Sequence, residues 1–296
     1  MNNLLSRYPM PNEINNMAQL LEQIKRDSEK FYTNSEALQD MFHSIDLTTL
    51  STSDSAESVR LFVEKVNAFA TDYPQLKNVG GICVYPVFAP VVKSALKVSG
   101  IYRAVVAACF PSSQTFTDIK CAEVRKAVEF GANEIDVVIS VGEMLEGNYE
   151  FVAEELTQIK EACGTARLKV ILETGTLETP ENIWAASIIA MESGADMIKT
   201  STGKNGVGAT PEAAFVMCHA IKAFVAKNGR KVGFKPAGGV RTVEDAAFYY
   251  NIVDTILGAD WKGSDMFRIG ASGLANALLS QILKVTEGKT EAIKYF

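Results

Sequence analysis

From His43 onward the chain alternates short apolar runs with longer stretches in which apolar residues return every three or four positions. The short runs read as strands: FHSIDLT, GGICVYP, RAVVAACF, EIDVVIS, LKVILET, MIKTST, KVGFKPA and FRIGAS. The longer ones carry the period of a helix with one buried face. That spacing predicts helices over residues 56–73, 114–130, 149–162, 180–191, 211–226 and 242–250. Strands that recur with helices between them are βαβ units on a parallel sheet. Eight of them in roughly 250 residues suit a closed (β/α)8 barrel better than a doubly wound open sheet. Such a barrel works at the C-terminal ends of its strands.

The first 38 residues break this rhythm. They are polar, and Ile14, Met17, Leu20, Leu21 and Ile24 recur at helical spacing, which predicts one amphipathic helix. The chain therefore divides into an N-terminal helical extension, 1–38, and an α/β barrel domain, 39–296, with the extension expected to pack on the barrel or on a second subunit.

Composition narrows the possibilities. With 47% hydrophobic and 22% charged residues the chain of 296 can build a large core. A net charge of −6, with no basic cluster interleaved with aromatics, argues against a nucleic-acid partner. Cys83, Cys109, Cys121, Cys163 and Cys218 are odd in number and scattered, as expected of reduced thiols in a cytoplasmic protein. The N-terminus lacks the apolar core of a signal peptide, and no apolar run reaches the length of a membrane span. His43 and His219 have no ligand spacing around them, so neither a metal nor another cofactor is expected.

Charged residues embedded in strands carry the chemistry. Asp46, Asp136, Lys199 and Lys235 lie in four different runs, each beside apolar neighbours. Any one of them alone reads as half of a buried ion pair. Two lysines and an aspartate converging from separate strands point instead to amine catalysis: a like charge and partial desolvation keep one lysine neutral and nucleophilic. Glycine-bearing turns follow strands seven and eight, AGGV at 237–240 and GASG at 270–273. They either permit tight βα turns or offer backbone N–H groups to an anion, with Lys204 adding charge nearby.

DLTTL at 46–50, ICVYP at 82–86, EIDVVISVG at 134–142, LKVILETG at 168–175, IKTSTGK at 198–204, GFKPAGGVRT at 233–242 and FRIGAS at 267–272 together resemble the deoxyribose-phosphate aldolases. The resemblance runs from about residue 40 to about 285. It implies a TIM barrel and a metal-independent, Schiff-base-forming aldolase, a lyase that reversibly cleaves 2-deoxy-D-ribose 5-phosphate to acetaldehyde and D-glyceraldehyde 3-phosphate. It also implies Lys199 as the Schiff-base nucleophile, Lys235 as the neighbour that lowers its pKa, and Asp136 as the proton carrier. Asp46, Thr48, Thr202, Lys204, Gly238, Gly239, Ser272 and Gly273 would contact the sugar and its phosphate. Partners would be small phosphosugars and aldehydes, with a homodimer possible. The alternatives are another Schiff-base barrel lyase and a catalytically silent phosphosugar-binding protein. Gly273 stands where the family often has a second serine, and Tyr295 is penultimate where some members end in a tyrosine that folds over the site.

Overall fold

The computed structural model describes residues 2–296. At its centre stand eight parallel strands: β1 Ile45–Thr48, β2 Gly81–Val84, β3 Tyr102–Val106, β4 Glu134–Val138, β5 Arg167–Ile171, β6 Met197–Lys199, β7 Gly233–Lys235 and β8 Ile269–Ala271. They pair in the order β7-β6-β5-β4-β3-β2-β1-β8. Bridges between Phe234 and Phe267 and between Ala237 and Gly270 bring β7 to β8 and nearly close the ring. Each run read as a strand coincides with one, β3 and β5 starting a residue earlier, and the expected TIM barrel is the fold.

The strands are apolar almost throughout because both faces are covered. Ile135, Val137, Leu168, Val170, Ile198 and Phe234 join the main core beneath the helices. Side chains alternate across a strand, so Glu134, Asp136 and Lys169 fall on the other, inward face. The charged cluster described below is a direct product of that two-residue period.

Helices Ala56–Asp72, Thr117–Glu129, Tyr149–Cys163, Pro180–Glu192, Pro211–Asn228, Val243–Leu257 and Leu274–Glu287 surround the barrel. Thr179, Thr210 and Thr242 each accept a backbone N–H of the first helical turn, which fixes three of the starts. The predicted helix over 114–130 begins only at Thr117, after a loop in which Ser113 adopts a positive φ of 59°. The one predicted over 242–250 runs on to Leu257, because Ile252, Val253 and Ile256 continue its buried face. A short helix, Ala89–Ala95, between β2 and β3 escaped the periodicity reading.

The N-terminal segment is more broken than the single expected helix. Met17–Ser28 is helical, with Leu21 and Ile24 buried, while Ile14 lies in a preceding 3-10 turn and Leu20 faces out. A second helix, Ser35–His43, starts where Asn34 accepts the Ala37 N–H at 3.0 Å, and it buries Leu38, Met41 and Phe42 completely. An asparagine that caps its successor ends the periodic run. The segment packs on the barrel, as expected. Trp184 Nε1 donates to Tyr8 O at 3.0 Å, Asn251 Nδ2 to Ile24 O at 2.6 Å, and Gln281 Nε2 to Tyr32 O at 2.6 Å.

The C-terminal tail returns along the last helix. Asn276 Oδ1 accepts from Tyr295 N at 2.8 Å and Phe296 N at 3.0 Å, and Tyr295 Oη donates to Asp72 Oδ2 at 2.6 Å. Both aromatic rings pack near Phe69 on the outside of the barrel, Tyr295 edge-to-face and Phe296 tilted. Among the described residues, no helix is long and apolar enough to cross a membrane.

Candidate active site

Seven charged side chains meet inside the barrel. Asp46 comes from β1, Glu134 and Asp136 from β4, Lys169 from β5, Lys199 from β6, Lys235 from β7, and Arg268 from the residue before β8. All are buried, Lys199 alone keeping 4% of its surface. Lys199 Nζ donates to Asp136 Oδ2 at 2.9 Å, and Lys235 Nζ donates to the same oxygen at 2.8 Å. Lys235 also bonds to Asp46, which further accepts from Lys169 at 2.9 Å and from Arg268. Glu134 pairs with Lys169 at 2.5 Å and with Arg268 at 3.3 Å, and reaches the partly exposed Arg167 at 3.1 Å. Room for this cluster is made in β2: a Cβ on Gly81 would collide with Asp46 Oδ1 and Arg268 Nη1.

The charges do not balance if every group is ionised. Four buried cations face three buried carboxylates, and an unmatched charge out of water is costly. Of the three lysines, Lys199 is the one whose charge the cluster disfavours. Burial pushes its ammonium below the ordinary lysine value, and the Lys235 charge adds to that drop against the pull of Asp136. Burial also works against Lys235, but Asp136 and Asp46 outweigh it and hold its charge well above the usual range. Both carboxylates are held far below theirs, since Lys169 and Lys235 overcome the cost of burying each of them. Loss of the Lys199 proton would leave three cations on three carboxylates.

Above the cluster, at the C-terminal ends of the strands, opens a cavity of about 890 Å³. Among the described residues of the cluster, only Lys199 reaches its wall. Thr48, Thr202, Lys204, Gly238, Gly239, Ser272 and Gly273 line it as well. Asp46, Asp136 and Lys235 lie beneath that surface. Two features suit the far end of the cavity to an anion. Gly238 and Gly239 take positive φ values of 82° and 88°, open to glycine at little cost. The helix Leu274–Glu287 starts at Gly273 with no side-chain cap; Ala275 N donates to Ser272 O at 3.3 Å, and the start of the helix faces the cavity through Gly273 and Leu274. Lys204 Nζ donates to Leu50 O, which poises its charge at the rim. Its loop is held by Glu173, a non-glycine residue at φ 57°, whose carboxylate accepts from Thr202 N at 3.1 Å, Thr202 Oγ1 at 2.6 Å and Asn205 Nδ2 at 3.2 Å.

A small apolar group, separate from the main core, reaches the cavity through Leu50. Leu50, Cys83, Ala104 and Val106 form a small cluster of their own with Tyr85 and Phe110. Burial raises the Cys83 thiol to about 11, which makes it part of that apolar group rather than a nucleophile.

The structure thus joins Lys199, Lys235, Asp136 and Asp46 in one network and gathers the seven other expected contact residues around one cavity. Sequence reasoning missed Glu134, Lys169 and Arg268. Their signal was present: Glu134 stands two residues before Asp136 and so shares its face, while Lys169 interrupts an apolar run as Lys199 does. It also missed Arg241, whose side of the GGVR turn lines the cavity. No group of three His, Cys, Asp or Glu able to hold a metal occurs among the described residues.

Comparison with known proteins agrees with this geometry. The deoxyribose-phosphate aldolases of Mus musculus and Homo sapiens are each 43% identical over 258 residues, 84% of this chain and 81% of theirs. Among solved structures, an aldolase called QR15 superposes with a TM-score of 0.68 at 29% identity, covering 83% of this chain and 97% of its own. The deoxyribose phosphate aldolase of Aeropyrum pernix, described as a unique tetramer, does so with a TM-score of 0.67 at 27% identity over 86% and 97%. Residues 41–277 match the DeoC/LacD family aldolases, and the chain belongs to that family.

Proposed function

We propose that this protein reversibly cleaves 2-deoxy-D-ribose 5-phosphate to acetaldehyde and D-glyceraldehyde 3-phosphate, with Lys199 as the amine that joins the substrate. One observation carries the reading: the only cluster lysine on the cavity wall is the one whose ammonium is destabilised. Neutral Lys199 attacks C1 of the open-chain sugar, and loss of water leaves an iminium. The C3 hydroxyl gives up its proton as the C2–C3 bond breaks, and the electron pair of that bond flows into the iminium to form an enamine. Glyceraldehyde 3-phosphate leaves, the enamine is protonated at its terminal carbon, and hydrolysis releases acetaldehyde. Asp136, bonded to Lys199 Nζ, carries these protons through a bridging water, and Lys235 keeps the nitrogen basicity low.

The phosphate is placed at Lys204, the turn Gly238–Gly239 and the helix start at Ser272–Gly273, with Thr48 and Thr202 toward the sugar. Asp46 acts from below by fixing Lys235. We divide the chain at residue 38 into extension and barrel; that point lies within the helix Ser35–His43, and the family match begins at residue 41. Five free thiols support a reducing, cytoplasmic setting, and assembly as a homodimer is our reading of its oligomeric state. Cleavage rates on deoxyribose 5-phosphate and on keto-deoxy sugar phosphates test the substrate. The account expects the first to be faster by at least about 10³-fold, since a site shaped for one donor discriminates through its transition state; equal rates would replace the function with that of a broader lyase.

A further inference from the structure

Lys169 sits between three carboxylates and treats them unequally. It pairs with Glu134 Oε2 at 2.5 Å and donates to Asp46 Oδ2 at 2.9 Å, yet it stands 3.3 Å from Asp136 Oδ1 without a hydrogen bond. Among the described residues no group hydrogen-bonds Asp136 Oδ1, although the atom is buried. Its partner oxygen, Oδ2, holds both Lys199 and Lys235. A buried carboxylate oxygen left open beside three lysines is unusual, because such atoms are ordinarily satisfied. The groups that face Asp136 are Lys169, Lys199, Lys235, Asp46 and the Cys83 thiol, and Lys169 is the one found within ion-pair distance of Oδ1. Glu134 shares the same ammonium and is itself anchored by Arg268 and Arg167.

We propose that Glu134 is a positioning residue: by drawing Lys169 down onto itself and Asp46, it keeps Asp136 Oδ1 open as the oxygen that accepts and returns the substrate proton. Glu134 touches no substrate. In the step it serves, the iminium formed on Lys199 loses a proton from the carbon beside it. The C–H electron pair becomes the enamine double bond, the nitrogen takes back its π pair, and the proton rests on Asp136 by way of water. A second hydrogen bond from Lys169 to Oδ1 would stabilise the ionised carboxylate and weaken it as a base.

The inference rests on the Schiff-base reading above, so the experiment reads the two separately. Wild type, Glu134→Gln and the double variant Glu134→Gln with Lys169→Met are compared in two assays with acetaldehyde. Borohydride trapping reports the bond to Lys199, and deuterium exchange into the methyl group reports proton transfer. Glu134→Gln is expected to trap within about threefold of wild type but to exchange about 10- to 100-fold more slowly, within the range of general-base effects. The double variant removes the misplaced cation along with the charge that held it, and it is expected to regain at least about tenfold in exchange. Exchange at the wild-type rate in Glu134→Gln, no recovery in the double variant, or trapping and exchange falling together would each overturn the role of Glu134. A wild type that traps nothing would instead remove the Schiff-base reading beneath it.

Discussion

Lys120 and Lys199 are both buried lysines bonded to carboxylates, yet their surroundings differ in arithmetic. Lys120, on the outer helix Thr117–Glu129, pairs with Glu155 at 2.7 Å, one cation to one anion. Its other hydrogens go to Ser113 Oγ at 2.8 Å and Ser140 Oγ at 3.0 Å, and Ser140 completes the loop by donating to Glu155 at 2.7 Å. That cluster is closed. Inside the barrel four cations share three carboxylates, one carboxylate oxygen is left open, and one lysine reaches a cavity. A balanced, saturated pair ties two helices and a loop to the top of β4; an unbalanced, unsaturated one stores reactivity. The presence of a buried ion pair therefore says little about function until its charges and hydrogen bonds are counted.

The contrast breaks most visibly at Lys235. Lys235→Leu removes the like charge that depresses Lys199 and leaves Asp136 Oδ2 to Lys199, so both changes raise the Lys199 pKa. Activity requires the neutral amine and rises with pH through that pKa. The variant should therefore lose about 10²- to 10⁴-fold in kcat near neutral pH and show its rising limb displaced to higher pH. A limb that stays put in a pH–rate profile would mean that Lys235 does not tune Lys199.

At the outer cluster the expected loss is of a different kind. Glu155→Gln leaves the Lys120 charge buried without its anion, which should cost about 3–5 kcal/mol of stability. Denaturant unfolding should register that loss while kcat of the folded fraction stays within about twofold, inside the usual scatter of remote substitutions. A large fall in kcat with little change in stability would erase the distinction between the two clusters.

Lys204 sharpens the comparison as a lysine outside both. Among the described residues its Nζ meets only a backbone carbonyl and its loop is clamped by Glu173, which leaves its charge for the substrate. Lys204→Ala should raise KM for the phosphorylated sugar by about 10- to 100-fold, the worth of one charge-assisted hydrogen bond. It should leave the KM for unphosphorylated deoxyribose unchanged; equal effects on both sugars would place the phosphate elsewhere.

Much of this was legible in the sequence because the barrel uses two strict periods. Strand runs and helical runs gave the eight-fold alternation, and charged residues inside apolar runs gave Lys199, Lys235, Asp136 and Asp46. The pattern could not say how many other charges would join them. Glu134 and Arg268 lie at strand edges, where a charge reads as solvated, and only barrel closure turns both inward. The N-terminal segment failed for another reason: its apolar spacing was real, but Asn34 opened a second helix that periodicity alone does not mark. The outer pair was hidden too, since Lys120 and Glu155 are ordinary helix residues until two helices pack.

The central claim is that the charge imbalance leaves Lys199, and no other lysine, as the reactive amine. Borohydride reduction with acetaldehyde, followed by peptide mass analysis, reads this directly. The account predicts one two-carbon adduct, on Lys199, absent from Lys199→Ala. An adduct on Lys235 or Lys169, or one that survives in Lys199→Ala, would contradict it.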